Sequence, residues 1–214
     1  MPHHDAIFAA VDGDPTRLTG LLKAVRDPAS VRARTGESLL LHLLYRGKAD
    51  AVRAVAEILP SLGLHEAAAL GDVDRVRQIL AAWPGAAATL SGDGWTALHL
   101  AAFFNQTTCL RALLEAGADP DLRGLSPLRN LPLHAACAGR NLDCTLLLVP
   151  VTAEVDDRQA GGITPLMLAA ANGMDAVVDA LLDRGAVPGL ADDSGRTAAD
   201  HALARGHAAL AGRL

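Results

Sequence analysis

The sequence predicts an all-α solenoid (α-solenoid), a stack of helix–turn–helix units with short β-hairpin tips, and three observations carry that expectation. One phrase recurs down the chain. TALHLAAFFNQTTCLRALLEAGADPDL (96–122) matches TPLMLAAANGMDAVVDALLDRGAVPGL (164–190), with Thr96 on Thr164, Leu98 on Leu166, Ala101–Ala102 on Ala169–Ala170 and Leu113–Leu114 on Leu181–Leu182. The recurrence is also periodic. With the first His of the phrase as marker, the equivalent positions are Ile7, Leu41, His65, His99, His134, Met167 and Asp200, at gaps of 34, 24, 34, 35, 33 and 33 residues. A fixed period in this range is the signature of stacked repeats. Finally, half of the 214 residues are hydrophobic but only 3% are aromatic, so Ala, Leu and Val make many thin contacts between helices in place of one large aromatic core.

The elements of a unit follow from its residues. Thr96 and Thr164 are placed to cap a helix through the hydroxyl, and Pro165 takes the first helical position, where its missing N–H costs nothing. A short helix with Leu and Ala on one side follows, and Gly71, Gly173 and Gly206 break the chain before a second helix. That helix carries Leu113–Leu114 or Leu181–Leu182 at helical spacing from Leu110 and Val178. EAGAD and DRGAV then supply a glycine stop. One such unit cannot bury its apolar face alone, so neighbours must stack. The same pattern fits LPLHAACAGRNLDCTLLL (131–148) and GLHEAAALGDVDRVRQIL (63–80). It fits more loosely DAIFAAVDGDPTRLTGLL (5–22), ESLLLHLLYRGKADAVRAVAEIL (37–59) and GRTAADHALARGHAALAGRL (195–214). A single domain of seven units is expected, at about 1–34, 35–60, 61–92, 93–125, 126–159, 160–191 and 192–214. The first lacks its hairpin and the last stops inside its second helix, as terminal units do.

These phrases resemble the ankyrin repeat, whose hallmark reads G-x-T-P-L-H-x-A-A, a turn, and a longer second helix ending in G-A-D. The resemblance covers essentially the whole chain. It implies an L-shaped stack in which short helices and hairpin tips line a concave groove, and a structural role for the marker His, whose imidazole bonds across the hairpin base. One departure stands out. The gap from Leu41 to His65 is about ten residues short, so one hairpin is missing and a notch or bend is expected between the second and third units.

The stretch GDGWTALHLAAFFN (92–105) crowds three of the chain's six aromatics into ten positions. By the resemblance, the variable groove-facing positions lie four before the marker and four and five after it, together with the hairpin tip. Trp95, Phe103 and Phe104 occupy them in the fourth unit, and Tyr45 and Arg46 in the second. Clustered aromatics with a nearby Arg are what binding hot spots are built from, and exposed apolar clusters mark interaction sites. The expected function is therefore a non-catalytic protein–protein interaction module. It grips a partner through Tyr45, Arg46, Trp95, Phe103 and Phe104 and the tips Asn130, Ile163, Asn172 and Arg196. The plainer alternative is that Phe103 or Phe104 turns sideways and fills space beside Ala69, Leu70, Ala138 and Gly139.

Other patterns have bland explanations. His65, His99 and His134 recur at one repeat position, about 8–10 Å apart on stacked helices, too far to share one metal ion. Cys109, Cys137 and Cys144 fit no zinc-finger spacing. Cys109 and Cys144 fill the slot that Val177 holds in the sixth unit, so they are expected to be small apolar residues and free thiols. Asp93, Asp119, Asp121, Asp156, Asp157, Asp192 and Asp193 suit turns, and a residual acidic rim would favour a basic patch on the partner. Neither a phosphate-binding loop nor a nucleophile elbow nor a dinucleotide fingerprint appears, so no enzyme and no cofactor is expected. The formal charge of −5 gives no nucleic-acid footprint, and no apolar run is long enough for a membrane span. With no secretory leader evident at the start, a reduced, cytoplasmic, monomeric protein is expected. The rivals are a small-ligand or metal-binding protein using the notch near residues 59–65, and a self-associating scaffold subunit.

Overall fold

The computed structural model describes residues 2–13 and 15–214. Helix pairs succeed one another along it: α1 (Pro2–Ala9) and α2 (Pro15–Lys23), α3 (Leu39–Tyr45) and α4 (Ala49–Ala56), α5 (Leu64–Leu70) and α6 (Val73–Ala82), α7 (Ala97–Phe103) and α8 (Thr107–Glu115), α9 (Pro132–Ala138) and α10 (Leu142–Leu148), α11 (Pro165–Ala171) and α12 (Asp175–Asp183), and α13 (Ala198–Ala204) and α14 (Ala208–Ala211). The odd-numbered helices form an inner row, in which α5, α7, α9, α11 and α13 pack each on the next. Short turns of 3-10 helix lie at Pro28–Ser30 and Pro84–Ala88. The fold is the all-α solenoid that the repeat spacing predicts.

The caps follow from the residues before each inner helix. The hydroxyls of Ser38, Thr96, Thr164 and Thr197 accept the backbone N–H three residues on, at Leu41, His99, Met167 and Asp200. Each satisfies one of the donors a helix start leaves open. Hairpin fingers precede these caps. Three close in single antiparallel bridges, Arg32 with Ser38, Leu90 with Thr96, and Gln159 with Ile163. The other two close by Gly124 N–H to Asn130 O (2.9 Å) and Asp192 N–H to Arg196 O (2.8 Å).

Two polar ladders join successive pairs. Nε2 of His65 lies 3.0 Å from Thr89 O, that of His99 3.0 Å from Asn130 O, and that of His134 3.0 Å from Asp157 O and 3.2 Å from Ile163 O. A carbonyl only accepts, so Nε2 carries the hydrogen. Nδ1 of His99 is left to accept from the Thr96 hydroxyl (2.8 Å) and N–H (3.4 Å), and Nδ1 of His134 from Leu131 N–H (3.3 Å). In the second ladder, side-chain amides cap the last turn of the preceding inner helix: Gln106 donates to Ala69 O, Asn141 to Ala102 O and Phe103 O, and Asn172 to Cys137 O.

The junction after the second pair departs from this pattern. Residues 57–63 run from α4 to α5 with no hairpin, as the short marker gap predicts. The core divides at the same place. Ile7, Leu18, Leu22, Leu40, Leu43 and Val55 belong to one buried cluster, while a second runs from Leu64 to Leu210, with Leu62 against both. With one finger absent, the finger at 32–38 meets the finger at 90–96 directly. Gly36 and Gly92 approach so closely that a Cβ on either would overlap the other's carbonyl group. The expected notch therefore survives only at the base, as a hollow of about 270 Å³ lined by Leu39, Leu40, Val55, Leu59, Leu62 and Glu66 among others.

Candidate functional site

Four aromatic rings meet on the inner face. Tyr45 ends α3, Phe103 ends α7, Phe104 caps α7, and Trp95 precedes its N-cap. The two helices are not neighbours, because α5 lies between them. Its contribution at this level is Ala69, which with Leu41, Leu100 and Ala135 forms the floor beneath the rings. The small side chain leaves Tyr45 free to cross the intervening pair. Its ring centroid lies 6.2 Å from Trp95, 6.1 Å from Phe103 and 5.4 Å from Phe104. Trp95 and Phe103 are 5.4 Å apart, and Phe103 and Phe104 5.2 Å apart at 89°. Most of these pairs are edge-to-face, the arrangement the ring quadrupoles favour. The Tyr45 hydroxyl donates to Asp93 Oδ2 at 2.8 Å, and burial together with the Asp93 carboxylate holds its pKa well above the usual phenol range.

This geometry changes the reading of Trp95. It is not an outward-facing contact: it is only 8% exposed, and its indole N–H points at Ser126 Oγ, 3.3 Å away. The finger that follows covers it. Phe103 and Phe104 are half-buried, and Tyr45 is 36% exposed. The open part of the cluster is therefore Tyr45, Phe103 and Phe104, with Trp95 packed behind them.

The other sequence-selected positions do not join the cluster. Arg46 turns towards the first pair, where its guanidinium reaches both oxygens of Asp12 at 2.7 Å, and Lys48 stands 3.1 Å from the same carboxylate. Those two cations lower the Asp12 pKa. Asn130, expected at a tip, is 2% exposed, because its finger folds it inward and its carbonyl accepts from His99. Its Oδ1 has no hydrogen-bond partner among the described residues. Ile163 packs half-buried against the main core, and the Asn172 amide is occupied by Cys137 O. Arg196 is exposed but folds back on Asp192 (3.2 Å from Nε) and Ser194 (2.9 Å). Asp192 also accepts from His201 Nε2 and is held well below the usual carboxylate range, foremost by the Ser194 hydroxyl.

Sequence reasoning missed Asp93 and Ser126 as partners of the rings and missed two exposed leucines on the finger at 124–130, Leu125 (76%) and Leu128 (46%). Their signal was present: where other fingers read TGE, DGW or SGR, this one reads LSPLRN. The imidazoles of His99 and His134 are fully buried, and desolvation pushes both down to about 4. They are neutral struts. The three cysteines are free and buried, and desolvation raises Cys109 to about 11, Cys137 to about 12 and Cys144 above its ordinary value. Such thiols are poor nucleophiles. Among the described residues there is no group of three His, Cys, Asp or Glu placed to hold a metal ion, and no helix is long and apolar enough to cross a membrane.

A family model described as ankyrin repeats (3 copies) matches residues 64–159 and 133–214, which is more than half of the chain. The chain belongs to the ankyrin repeat family. The matched span begins where the second core begins. Among curated proteins, residues of this ankyrin chain are 46% identical over 94 positions to human neurogenic locus notch homolog protein 4, covering 42% of the chain and 4% of that protein. They are 36% identical over 112 positions to neurogenic locus notch homolog protein 1 of Danio rerio, covering 52% and 4%. The match to the nuclear factor NF-kappa-B p105 subunit of Gallus gallus is 33% over 129 positions, covering 58% and 13%. The likeness thus spans only a small part of each relative's length. Ankyrin repeats are generally protein–protein interaction modules and typically non-catalytic.

Proposed function

We propose that this ankyrin chain is a non-catalytic module that binds another protein on its inner face, over the edges of Tyr45, Phe103 and Phe104. One observation carries the reading: three partly exposed aromatic rings are drawn together from pairs two apart and held by Trp95 and Asp93 behind them. Rigid aromatics fixed at a face lose little entropy on contact, which is what hot spots exploit. In this reading the protein acts as a cytoplasmic monomer without a cofactor. The test is co-purification from the native host, comparing the wild type with Phe104→Ala and with Arg111→Ala on an outer helix. Loss of the partner from Phe104→Ala alone, at unchanged helical circular dichroism, supports the site, and retention of the partner counts against it.

The aspartates offer less support for a basic patch on that partner than their number suggests. Asp121 and Asp156 accept backbone N–H groups of Ala153 and Val187, Asp157 pairs with Arg123, and Asp192 is enclosed by Ser194, Arg196 and His201. A second reading rests on the hollow at the base of the junction, where leucines beside Arg32, Ser38 and Glu66 offer a small ligand both apolar and polar contacts. A small molecule retained in native mass spectrometry and displaced by Leu59→Trp would favour it.

A further inference from the structure

Left-handed backbone recurs at two places of the repeat, the finger and the turn between inner and outer helices, and glycine fills eight of these eleven positions. Two residues before the inner helix cap stand Gly36, Gly94, Gly162 and Gly195, at φ of 101°, 87°, 73° and 85°, but in the finger at 124–130 the residue is Arg129, at 49°. In the turn between inner and outer helices stand Gly47, Gly71, Gly173 and Gly206, at 65°, 84°, 64° and 85°, with Asn105 at 58° and Arg140 at 60°. Asn visits this region readily because its short amide bonds locally, whereas Arg has no such compensation. Both arginines therefore stand where glycine is the low-cost residue, and both belong to the pair α9–α10.

The turns themselves are closed by Arg129 N–H to Ser126 O and Arg140 N–H to Cys137 O, but among the described residues no side-chain contact accounts for arginine in place of glycine at either position. Arg129 and Arg140 are exposed, and neither guanidinium makes a hydrogen bond or ion pair among the described residues. Other arginines of the same region are committed: Arg123 to Asp157 and the carbonyls of Arg129 and Arg158, and Arg158 to Ala191 O and Asp193. Strain that persists without a structural return points to a functional one. The two positions flank α9, whose seven residues rise about 10 Å. Beside Arg129, the exposed Leu125 and Leu128 are held by the fingers on either side, Leu125 N–H to Gly94 O and Ala160 N–H to Leu128 O, both at 2.8 Å.

We infer that the fifth pair carries a docking site for an extended acidic segment of a partner protein, with Arg129 and Arg140 each taking a carboxylate and Leu125 and Leu128 taking an apolar side chain next to it. An extended chain covers the length of α9 in about three residues, so the two acidic residues are expected at least that far apart. Arginine suits the task because its planar fork binds a carboxylate in two places. This inference rests on the protein-binding reading and specifies the partner's chemistry at the pair that follows the ring cluster.

The test is a selection of random peptides of about twelve residues on the wild-type protein, followed by affinity measurement on Arg129→Gly/Arg140→Gly. Glycine relieves the backbone, so the double variant is expected to unfold at equal or higher urea. Selected peptides are expected to carry two Asp or Glu at least about three residues apart beside an apolar residue. They should bind the variant at least about tenfold more weakly, with binding that falls as salt rises. Peptides without acidic pairs, or acidic ones that bind the variant equally well, overturn the inference and leave the protein-binding reading standing. A selection that yields no binder counts against both. A double variant less stable than the wild type shows that the arginines are structural and also overturns it.

Discussion

The middle of the stack and the junction after its second pair meet one requirement with different atoms. From α7 to α12 each pair is tied to the next by a buried imidazole bonded across a finger base and by an amide on a helix end. At the junction the finger is missing, the marker position holds Leu41, and the connection passes to four aromatic rings and a glycine–glycine backbone contact. A hydrogen bond fixes one neighbour at one distance and fails when the spacing changes. Rings of this size tolerate the altered spacing and bury much apolar area while reaching over a whole helix. Where the repeat is regular, polar geometry suffices; where it skips, bulk substitutes for it.

Acid should break the regular part first. His99 and His134 have folded pKa values pushed down to about 4, below the value near 6.5 of an unfolded histidine. The unfolded chain therefore binds protons first as pH falls. Their contribution is complete above about pH 6.5 and is lost between 6.5 and 4, on the order of 3 kcal/mol for each. Urea midpoints measured at pH 7, 6 and 5 should fall accordingly, and native-state NMR titrations showing either imidazole charging near 6.5 would refute the assignment.

Removing a ring tests the junction. Trp95→Ala should cost about 3–5 kcal/mol, comparable to or above the roughly 2–5 kcal/mol of Leu98→Ala in the regular core. Denaturant unfolding that finds Trp95→Ala almost neutral would return this residue to the surface. Gly92→Ala places a methyl group against Gly36 and should destabilise by about 1–3 kcal/mol, as overpacking does, read as a lowered melting midpoint. No change there would mean that the two fingers are not in contact. The smallest effect belongs to Tyr45→Phe, which removes only the bond to Asp93 and should cost about 0.5–1.5 kcal/mol. A double-mutant cycle with Asp93→Ala checks it, since a coupling energy of zero would show that the bond contributes nothing.

Much of the fold was legible because stacking leaves its period in the sequence. The Thr caps, the Leu–Ala inner helices and the 24-residue gap each map onto an observed cap, helix or missing finger. The site was half legible. Placing Tyr45, Phe103 and Phe104 on the inner face needed only repeat alignment, but burying Trp95 needed the next finger, and that finger departs from the repeat pattern. Likewise, Asn130 appears as a tip residue in alignment but turns inward, where its carbonyl accepts from His99. Contacts between pairs two apart leave no periodic trace. The only hint was Ala69, a small residue under the path of Tyr45.

The ring cluster also bears on how the chain comes apart. In a linear array whose units touch only their immediate neighbours, stability is close to a sum of local and nearest-neighbour terms, and an end can fray without consulting the middle. Tyr45 introduces a coupling that jumps over one unit, across the very boundary where the apolar interior divides. It works as a clasp: the two amino-terminal pairs cannot detach without also exposing Trp95 of the fourth. Amide exchange should then show α3 and α7 opening in one cooperative step, so that a contact of a few side chains decides whether this is one folding unit or two.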